Sequence, residues 1–572
     1  MSIPPIADER PWPGLPAPNQ WGRRSFALLY RPESSPAPRV ELLAGTTSVM
    51  STYAELRRIV DEGGQDVLAV LPRNQDGAPL LALQVAHREA VPLETALRRL
   101  PAVAGDVADV IEGFDLDRAL AVFRHLLAGE RGAYWTFLVH TGESTFVGAS
   151  PERHISAHRG VVTMNPVTGT YRYPPAGPDL PSLRAFLYDS NEKGELLTVV
   201  DEALKTMSNI CERGATVRGP RLREMRRLAH TEFLLTGRTE LPAHEVLRRS
   251  LSVPAATGGV LALFGRDPGS TPGLDSCVMI GTADVPARGD VGATIVGDSD
   301  PEAAETRPTL LSENGEVRAA LAQRRGVLSP FWLSEPSGRT APGKLFPQPR
   351  VVLVDAEDSF TGMLGQQLAA HGCAVEIIPW SAPLDRHEAD LVVVGTGPGD
   401  PRDLDNPRIA AVHRLTRALL AGDRPFLSAC LGHQVLCAQL GLRVVRGTTP
   451  HQGVRKEIEF FGASLKLGFY NTFAALADGR RHFDGSGRPF RVSRDPSTGE
   501  VHGLVGTHWG SFQFHPESVL SRDGQKFLGV FVREILSLGP AGPTDRVGEQ
   551  SSGPGSGARP AEPALAAEGT RS

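Results

Sequence analysis
The side chains with the clearest chemistry in this chain are a cysteine, a histidine and a glutamate. Cys430 lies in Pro425-Phe-Leu-Ser-Ala-Cys430-Leu-Gly-His-Gln-Val-Leu-Cys-Ala-Gln-Leu-Gly441, where an apolar run meets a small-residue turn and then a helical pattern. Leu431, Val435 and Ala438 recur at helical spacing, and Gly441 is placed to stop the helix. A thiol at such a corner faces the positive end of the helix dipole, which favours the thiolate. The neighbouring backbone N–H groups are free to hold a developing oxyanion. This is the nucleophile-elbow pattern built with sulfur. A cysteine taken alone reads as a small buried hydrophobe. Gln513-Phe-His515-Pro-Glu517-Ser changes that reading, because a thiolate nucleophile needs a base and the base needs an orienter. On an extended segment His515 and Glu517, two apart, point the same way. The loop Val394-Gly-Thr-Gly397-Pro-Gly399-Asp-Pro401 follows the apolar run Leu391–Val394 and can bring backbone N–H groups close to a substrate carbonyl.

Together these segments resemble the class I (triad) glutamine amidotransferases, over residues 349–535. The resemblance implies that Cys430 attacks the glutamine carboxamide and that His515 and Glu517 run the proton transfers around a glutamyl thioester. It implies oxyanion N–H groups from Gly397 and Leu431, and a glutamine site helped by Gly399 and Gln434. Ser428 stands where many relatives have glycine.

The elements that must position these residues belong to a long chain of 572 residues, and a prior of roughly 150 residues per domain allows up to four units. Hydrophobic content of 41% and charged content of 22% are globular values. The net charge of −5 and the lack of a long basic block disfavour nucleic-acid and anionic-membrane roles. The cysteines (211, 277, 373, 430, 437) are odd in number and lack CxxC spacing, so neither a disulfide framework nor a zinc ribbon is expected. The start shows no signal-peptide pattern, and no uncharged apolar run has the ~20 residues that span a bilayer. A reducing cytoplasm suits a free catalytic thiol.

In chain order, residues 1–22 are Pro-rich and polar and expected to pack loosely. Residues 23–333 mix strands (Ser25–Tyr30, Val67–Leu71, 134–139, Val161–Met164) with helices (117–127, 195–210) without strict alternation, which reads as α+β. Residues 334–348 are a linker by composition. Residues 349–538 open with the buried parallel strand Arg350–Asp355, for an α/β domain with a mostly parallel sheet. The tail, 539–572, is Gly/Pro/Ala/Ser-rich and expected to be disordered.

In the first domain Glu192 and Glu195 sit three apart on one helical face, and Glu302 and Glu305 repeat the spacing after Asp-Pro. Carboxylate pairs suit Mg²⁺, although charge at such spacing is more often a solvated face. Between them lie Gly148-Ala-Ser-Pro-Glu-Arg-His154, Met164-Asn-Pro-Val-Thr-Gly-Thr-Tyr-Arg172, Asp201-Glu-Ala-Leu-Lys205 and Leu228-Ala-His230-Thr-Glu-Phe233. These segments resemble the chorismate-utilising enzymes. With the amidotransferase behind them, the whole of residues 25–535 resembles the anthranilate synthase family, in wording nearest its phenazine-pathway 2-amino-2-deoxyisochorismate synthases. That implies Mg²⁺ on Glu192, Glu195, Glu302 and Glu305, a substrate loop at Thr168, Gly169 and Thr170, and His230 near the departing C4 hydroxyl. It implies glutamine-dependent amination of chorismate to 2-amino-2-deoxyisochorismate or anthranilate, a sequestered path for ammonia and an intertwined homodimer. The motif that accompanies tryptophan feedback is replaced by Tyr30-Arg-Pro-Glu-Ser34.

The chain then departs from the family. After Ser252-Val-Pro-Ala-Ala-Thr-Gly258 it passes straight to Gly259-Val260, so a block that lines the substrate pocket in relatives is missing. Gly281 and Gly297 replace arginines, and Arg307-Pro-Thr stands where a lysine is expected. Losing a bidentate guanidinium weakens a carboxylate clamp. The alternative expectation is a glutaminase-competent scaffold with an inactive chorismate domain, supplying ammonia to a partner synthase.

Overall fold
The computed structural model describes residues 25–538 apart from 34–36, 72–79, 102–115, 143, 252–258, 266–272, 280–284, 287–310, 340–347 and 480. The chain divides into two compact units, Met1–Glu212 with Val217–Arg325, and Arg213–Thr216 with Gly326–Ser572. The expected loose start (1–22), the expected tail (539–572) and most of the expected linker lie outside the described residues, as do Glu302, Glu305, Gly281, Gly297 and Arg307. Residues 334–339 are described and belong to the second unit.

In the first unit, fourteen strands among the described residues join one sheet, and the pairings run antiparallel. The path begins Ala215–Glu224, Leu228–Arg238, Val161–Met164, Arg153–His158, Gly273–Met279, Gly259–Gly265 and Val67–Leu71. It continues through Leu80–Pro92, Arg39–Met50, Ser25–Tyr30, Trp135–His140, Ser144–Ser150 and Val285–Pro286. Val167–Arg172 pairs with Leu228–Arg238 off that path. Val67–Leu71 is apolar and buried at every position, as befits a strand covered on both faces. The helix expected at 117–127 forms over Leu116–Gly129 and buries Leu120, Phe123 and Leu127, one stripe at three- and four-residue spacing. The helix expected at 195–210 starts earlier, at Ser190, ends at Ile210 and packs on Val167–Arg172. Gly259–Gly265 is paired on both sides, with Val67–Leu71 and with Gly273–Met279.

The second unit carries an eight-stranded mixed sheet among the described residues. Its order is Ala374–Pro379, Arg350–Asp355, Leu391–Val394, Phe426–Ala429, Trp509–Phe512, Val501–Val505, Pro489–Arg494 and Arg481–Phe483. The first five strands are parallel and the last three return antiparallel. Side chains alternate across a strand, and here both faces are apolar because both are covered. Leu353, Val393 and Leu427 pack with Phe527 and Phe531 of the helix Gly524–Leu538, while Val352, Val394 and Phe426 pack with Val412 and Val435 on the opposite side. A separate hairpin, Arg443–Phe460 with Ala463–Leu476, completes the unit.

Candidate active site
The strands Leu391–Val394, Phe426–Ala429 and Trp509–Phe512 are neighbours and run parallel, so their carboxyl ends open on one edge. Ligands bind at such edges in open α/β sheets. The first strand delivers the loop 395–401, the second Cys430, and the third residues 513–517. Cys430 sits at φ 48° and ψ −101°, a left-handed conformation that costs a non-glycine residue about 1–3 kcal/mol. The corner is held from both sides. The Cys430 N–H donates to Phe512 O at 2.9 Å, and its carbonyl accepts the Gln434 N–H at 3.0 Å. Two glycines allow the close approach of loop, strand and helix. A Cβ on Gly432 would meet Val394 O at 2.6 Å, and one on Gly397 would meet Ala356 O at 2.7 Å and Leu431 Cδ2 at 2.6 Å. Gly399, at φ 109°, turns the loop, and Arg408 Nη2 donates to Pro398 O at 2.8 Å beside it. The Leu431 N–H lies in the first turn of Leu431–Gln439, where a helix offers no partner of its own.

His515 Nδ1 lies 2.7 Å from Glu517 Oε1, and both side chains are fully buried. The pair does not sit on the extended segment expected from the sequence. Pro516 and Glu517 form a turn in which the Ser518 N–H donates to His515 O at 3.2 Å, and the turn rather than strand alternation brings carboxylate to ring. The His515 N–H donates to Gly468 O at 2.9 Å, and Trp332 Nε1 donates to Glu517 O at 2.7 Å. Phe360 and Tyr470 flank the imidazole with ring centroids 4.4 and 5.6 Å away. Burial alone would depress the basicity of this ring. The Glu517 carboxylate and then the Cys430 sulfur outweigh it and hold His515 well above the ordinary histidine value. Nδ1 is committed to Glu517, which leaves Nε2 for the sulfur.

Gln434 is buried, and its amide nitrogen donates to Phe473 O at 2.7 Å and to Gln513 Oε1 at 3.1 Å, leaving its oxygen as the group available to a ligand. Gln513 Nε2 in turn approaches Cys430 Sγ at 3.7 Å. Neither Gln513 nor Trp332 stood out in the sequence reading; Gln513 opens the very segment that carries His515, which was the available signal.

In the first unit the pairing of Val167–Arg172 with Leu228–Arg238 sets Thr170 opposite His230 and Gly169 opposite Thr231. Thr170 Oγ1 meets His230 Nδ1 at 3.0 Å, and Thr168 Oγ1 donates to Thr231 O at 2.8 Å. His230 is pushed down to about 4, chiefly by burial, partly offset by a bond to the Gly169 backbone and reinforced by Arg223. At neutral pH it is an uncharged imidazole. Beside it Glu232 is buried and held by Arg221 and, at 2.7 Å, by Arg223. Glu152 keeps some accessible surface, yet its carboxyl is desolvated and raised to about 8, with a bond to the Val167 backbone lowering it and the charge of Glu232 raising it further. Glu152 was inside a segment singled out by the sequence, but its environment was not legible there.

The chain matches two families, glutamine amidotransferase class-I over residues 352–535 and chorismate binding enzyme over residues 112–259. It is 40% identical over 605 aligned residues to the phenazine-specific anthranilate synthase of Pseudomonas chlororaphis, covering 89% of this chain and 95% of that one. The same figures hold for the enzyme of that name from Pseudomonas fluorescens. The chain belongs to the phenazine-specific anthranilate synthase family. It is an anthranilate synthase-type enzyme with an amidotransferase domain. The anthranilate synthase of Azospirillum brasilense is more distant, 28% identical over 77% of this chain and 63% of that one. The chorismate-binding match of this synthase ends at residue 259, where a missing block is expected from the sequence, and the 605-residue alignment is longer than the 572-residue chain, so it contains gaps in this chain.

Of the four glutamates expected to hold metal in the synthase, Glu192 and Glu195 fall three residues apart in the helix Ser190–Ile210, an element that as a whole packs on Val167–Arg172. Four carboxylates are hard oxygen donors of the kind Mg²⁺ takes. Among the described residues no cluster of His, Cys, Asp and Glu forms a metal site. No helix among the described residues is long and apolar enough to cross a membrane.

Proposed function
We propose that this synthase releases ammonia from L-glutamine at Cys430 and uses it to aminate chorismate in the first unit. The product is 2-amino-2-deoxyisochorismate, or anthranilate where pyruvate is also eliminated. The reading rests above all on the 2.7 Å His515–Glu517 contact beside a strained Cys430 at the sheet edge.

The Cys430 thiolate attacks the carboxamide carbon, and the carbonyl electron pair moves to oxygen, facing the N–H groups of Gly397 and Leu431. The His515 imidazolium gives its proton to the departing nitrogen, and ammonia leaves a glutamyl thioester. The now neutral imidazole takes a proton from water, whose oxygen displaces the sulfur and frees glutamate. Glu517 keeps the ring oriented through both halves. Gly399 and Gln434 hold the glutamine.

In the first unit ammonia adds at C2 of chorismate, both ring double bonds shift by one position, and the C4 hydroxyl leaves as water, the proton it gains being balanced by the one the new C2 nitrogen loses. Thr168, Gly169 and Thr170 cradle the substrate beside His230. Glu192, Glu195, Glu302 and Glu305 would hold Mg²⁺, which when bound would supply a counter-charge for the substrate carboxylate. His230, uncharged at neutral pH, orients rather than protonates. Glu152, whose carboxyl is raised to about 8 chiefly by burial, is bonded to the Val167 backbone at the start of the strand that carries Thr168, Gly169 and Thr170. Five buried free thiols suit a reducing cytoplasm, and we propose an intertwined homodimer, which light scattering tests; a monomer at working concentration rules it out.

Product analysis with chorismate, glutamine and Mg²⁺ tests the whole reading. Consumption of chorismate with glutamine, lost in Cys430→Ala but kept with ammonium salts, supports it. If chorismate survives both nitrogen sources while glutamine is hydrolysed, the chain is instead a glutaminase that supplies a partner synthase, the reading that Gly281 and the missing block favour.

A further inference from the structure
Resting on the amidotransferase reading, we propose that Gln513 is a catalytic residue that stabilises the Cys430 thiolate, with its orientation imposed through Gln434 by the backbone carbonyl of Phe473. A carbonyl oxygen can only accept, so the group of Gln434 that lies 2.7 Å from Phe473 O is its NH₂. Turning that amide over would set oxygen against oxygen. The second hydrogen of the same nitrogen points at Gln513, 3.1 Å away, and only the Gln513 carbonyl oxygen can receive it. The amide of Gln513 is thereby fixed with its own NH₂ toward Cys430, at 3.7 Å from Sγ.

Each link is buried. Gln434 is 4% exposed, Gln513 2% and Cys430 5%, so water does not compete for these donors and acceptors. A thiolate accepts an N–H more strongly than a thiol does, and a hydrogen bond to the charged form favours that form. The donor therefore acts before any glutamine arrives, separately from His515. The arrangement also gives a buried glutamine a use for both ends of its amide: the Gln513 oxygen accepts from Gln434 and its nitrogen serves the nucleophile.

The test is the rate of iodoacetamide alkylation against pH in the full chain without glutamine, with the Cys430→Ala background subtracted for the other cysteines. Gln513→Met keeps the length and removes the donor; the pH midpoint should rise by about one unit. Gln513→Glu still accepts from Gln434 but turns a carboxylate oxygen to the sulfur, and its midpoint should rise further. Glutamine hydrolysis should fall in kcat with KM little changed. Gln434→Met should move the midpoint part of the way, because the Gln513 amide is then free to turn. Wild-type midpoints in both Gln513 variants, with circular dichroism and melting unchanged, overturn the proposal, and so does a kcat loss without a midpoint shift. Glutamine hydrolysis surviving in Cys430→Ala would instead sink the amidotransferase reading and leave the alkylation result to stand alone.

Discussion
Two charges act on His515, the carboxylate of Glu517 on Nδ1 and the sulfur of Cys430 toward Nε2. Both raise its basicity against the effect of burial. Removing the sulfur in Cys430→Ala should lower the imidazole titration midpoint, followed by the ring proton resonances, while Glu517→Gln should lower it further, because Glu517 is the larger of the two charge effects. An unchanged midpoint in both variants would mean that His515 is not coupled to either group. Glutamine hydrolysis in Cys430→Ala should fall by at least about 10³-fold, as when a nucleophile is removed elsewhere. Glu152 makes a prediction about stability. Below its ordinary value of 4.5 the carboxyl is protonated in both folded and unfolded chains and costs nothing. As pH rises from there to about 8 the unfolded chain ionises while the folded one stays protonated, so folding loses stability throughout that window. Glu152→Gln escapes this loss, at most ~1.4 kcal/mol per pH unit. Its melting temperature relative to wild type should therefore climb between pH 5 and 8; a constant difference would refute the desolvated carboxyl.

At the level of elements, the site depends on how closely a helix can approach a strand. Gly432 lets Leu431–Gln439 lie against Val394, whose carbonyl oxygen a Cβ would meet at 2.6 Å. Backbone cannot swing aside as a side chain can, so Gly432→Ala should destabilise the second unit by about 1–3 kcal/mol in chemical denaturation and displace the thiol. A variant with native stability and full glutamine hydrolysis would show the contact to be yielding. The turn carrying His515 and Glu517 is braced by the short helix Pro330–Leu333, through the Trp332 indole on Glu517 O. Trp332→Phe keeps the ring packing and leaves that carbonyl without its donor, a loss of about 1–3 kcal/mol in a buried place. In the first unit, register does the corresponding work. Thr170 pairs with His230 within a regular run of register that shifts only between Thr231 and Glu232, and a one-residue slip in that run would turn every side chain to the opposite face.

For the whole molecule, the two chemistries are separable because they reside in different compact units. Cys430→Ala should abolish glutamine-driven loss of chorismate and spare the ammonium-driven reaction. Loss of both would mean that the substitution disturbs more than the nitrogen source. The departure after Gly258 is also a question for the whole first unit. The strand Gly259–Gly265 is held between two neighbours in the sheet, so the framework directly after that point is in place whatever is expected to be missing before it.

Much of this was legible in the sequence. The corner at Cys430, the glycine loop at Gly397 and the segment of His515 and Glu517 are local patterns, in which residue type and spacing imply backbone shape and chemistry together. Helical and strand periodicity likewise outlined elements such as Leu116–Gly129 and Val67–Leu71. Three things required the tertiary structure. Neighbouring parallel strands bring segments more than one hundred residues apart to one edge, a matter of strand order that no local pattern records. A turn, not strand alternation, joins His515 to Glu517. The environments of Glu152, His230 and Gln513 depend on which groups the fold removes from water, because desolvation is set by neighbours distant in the chain.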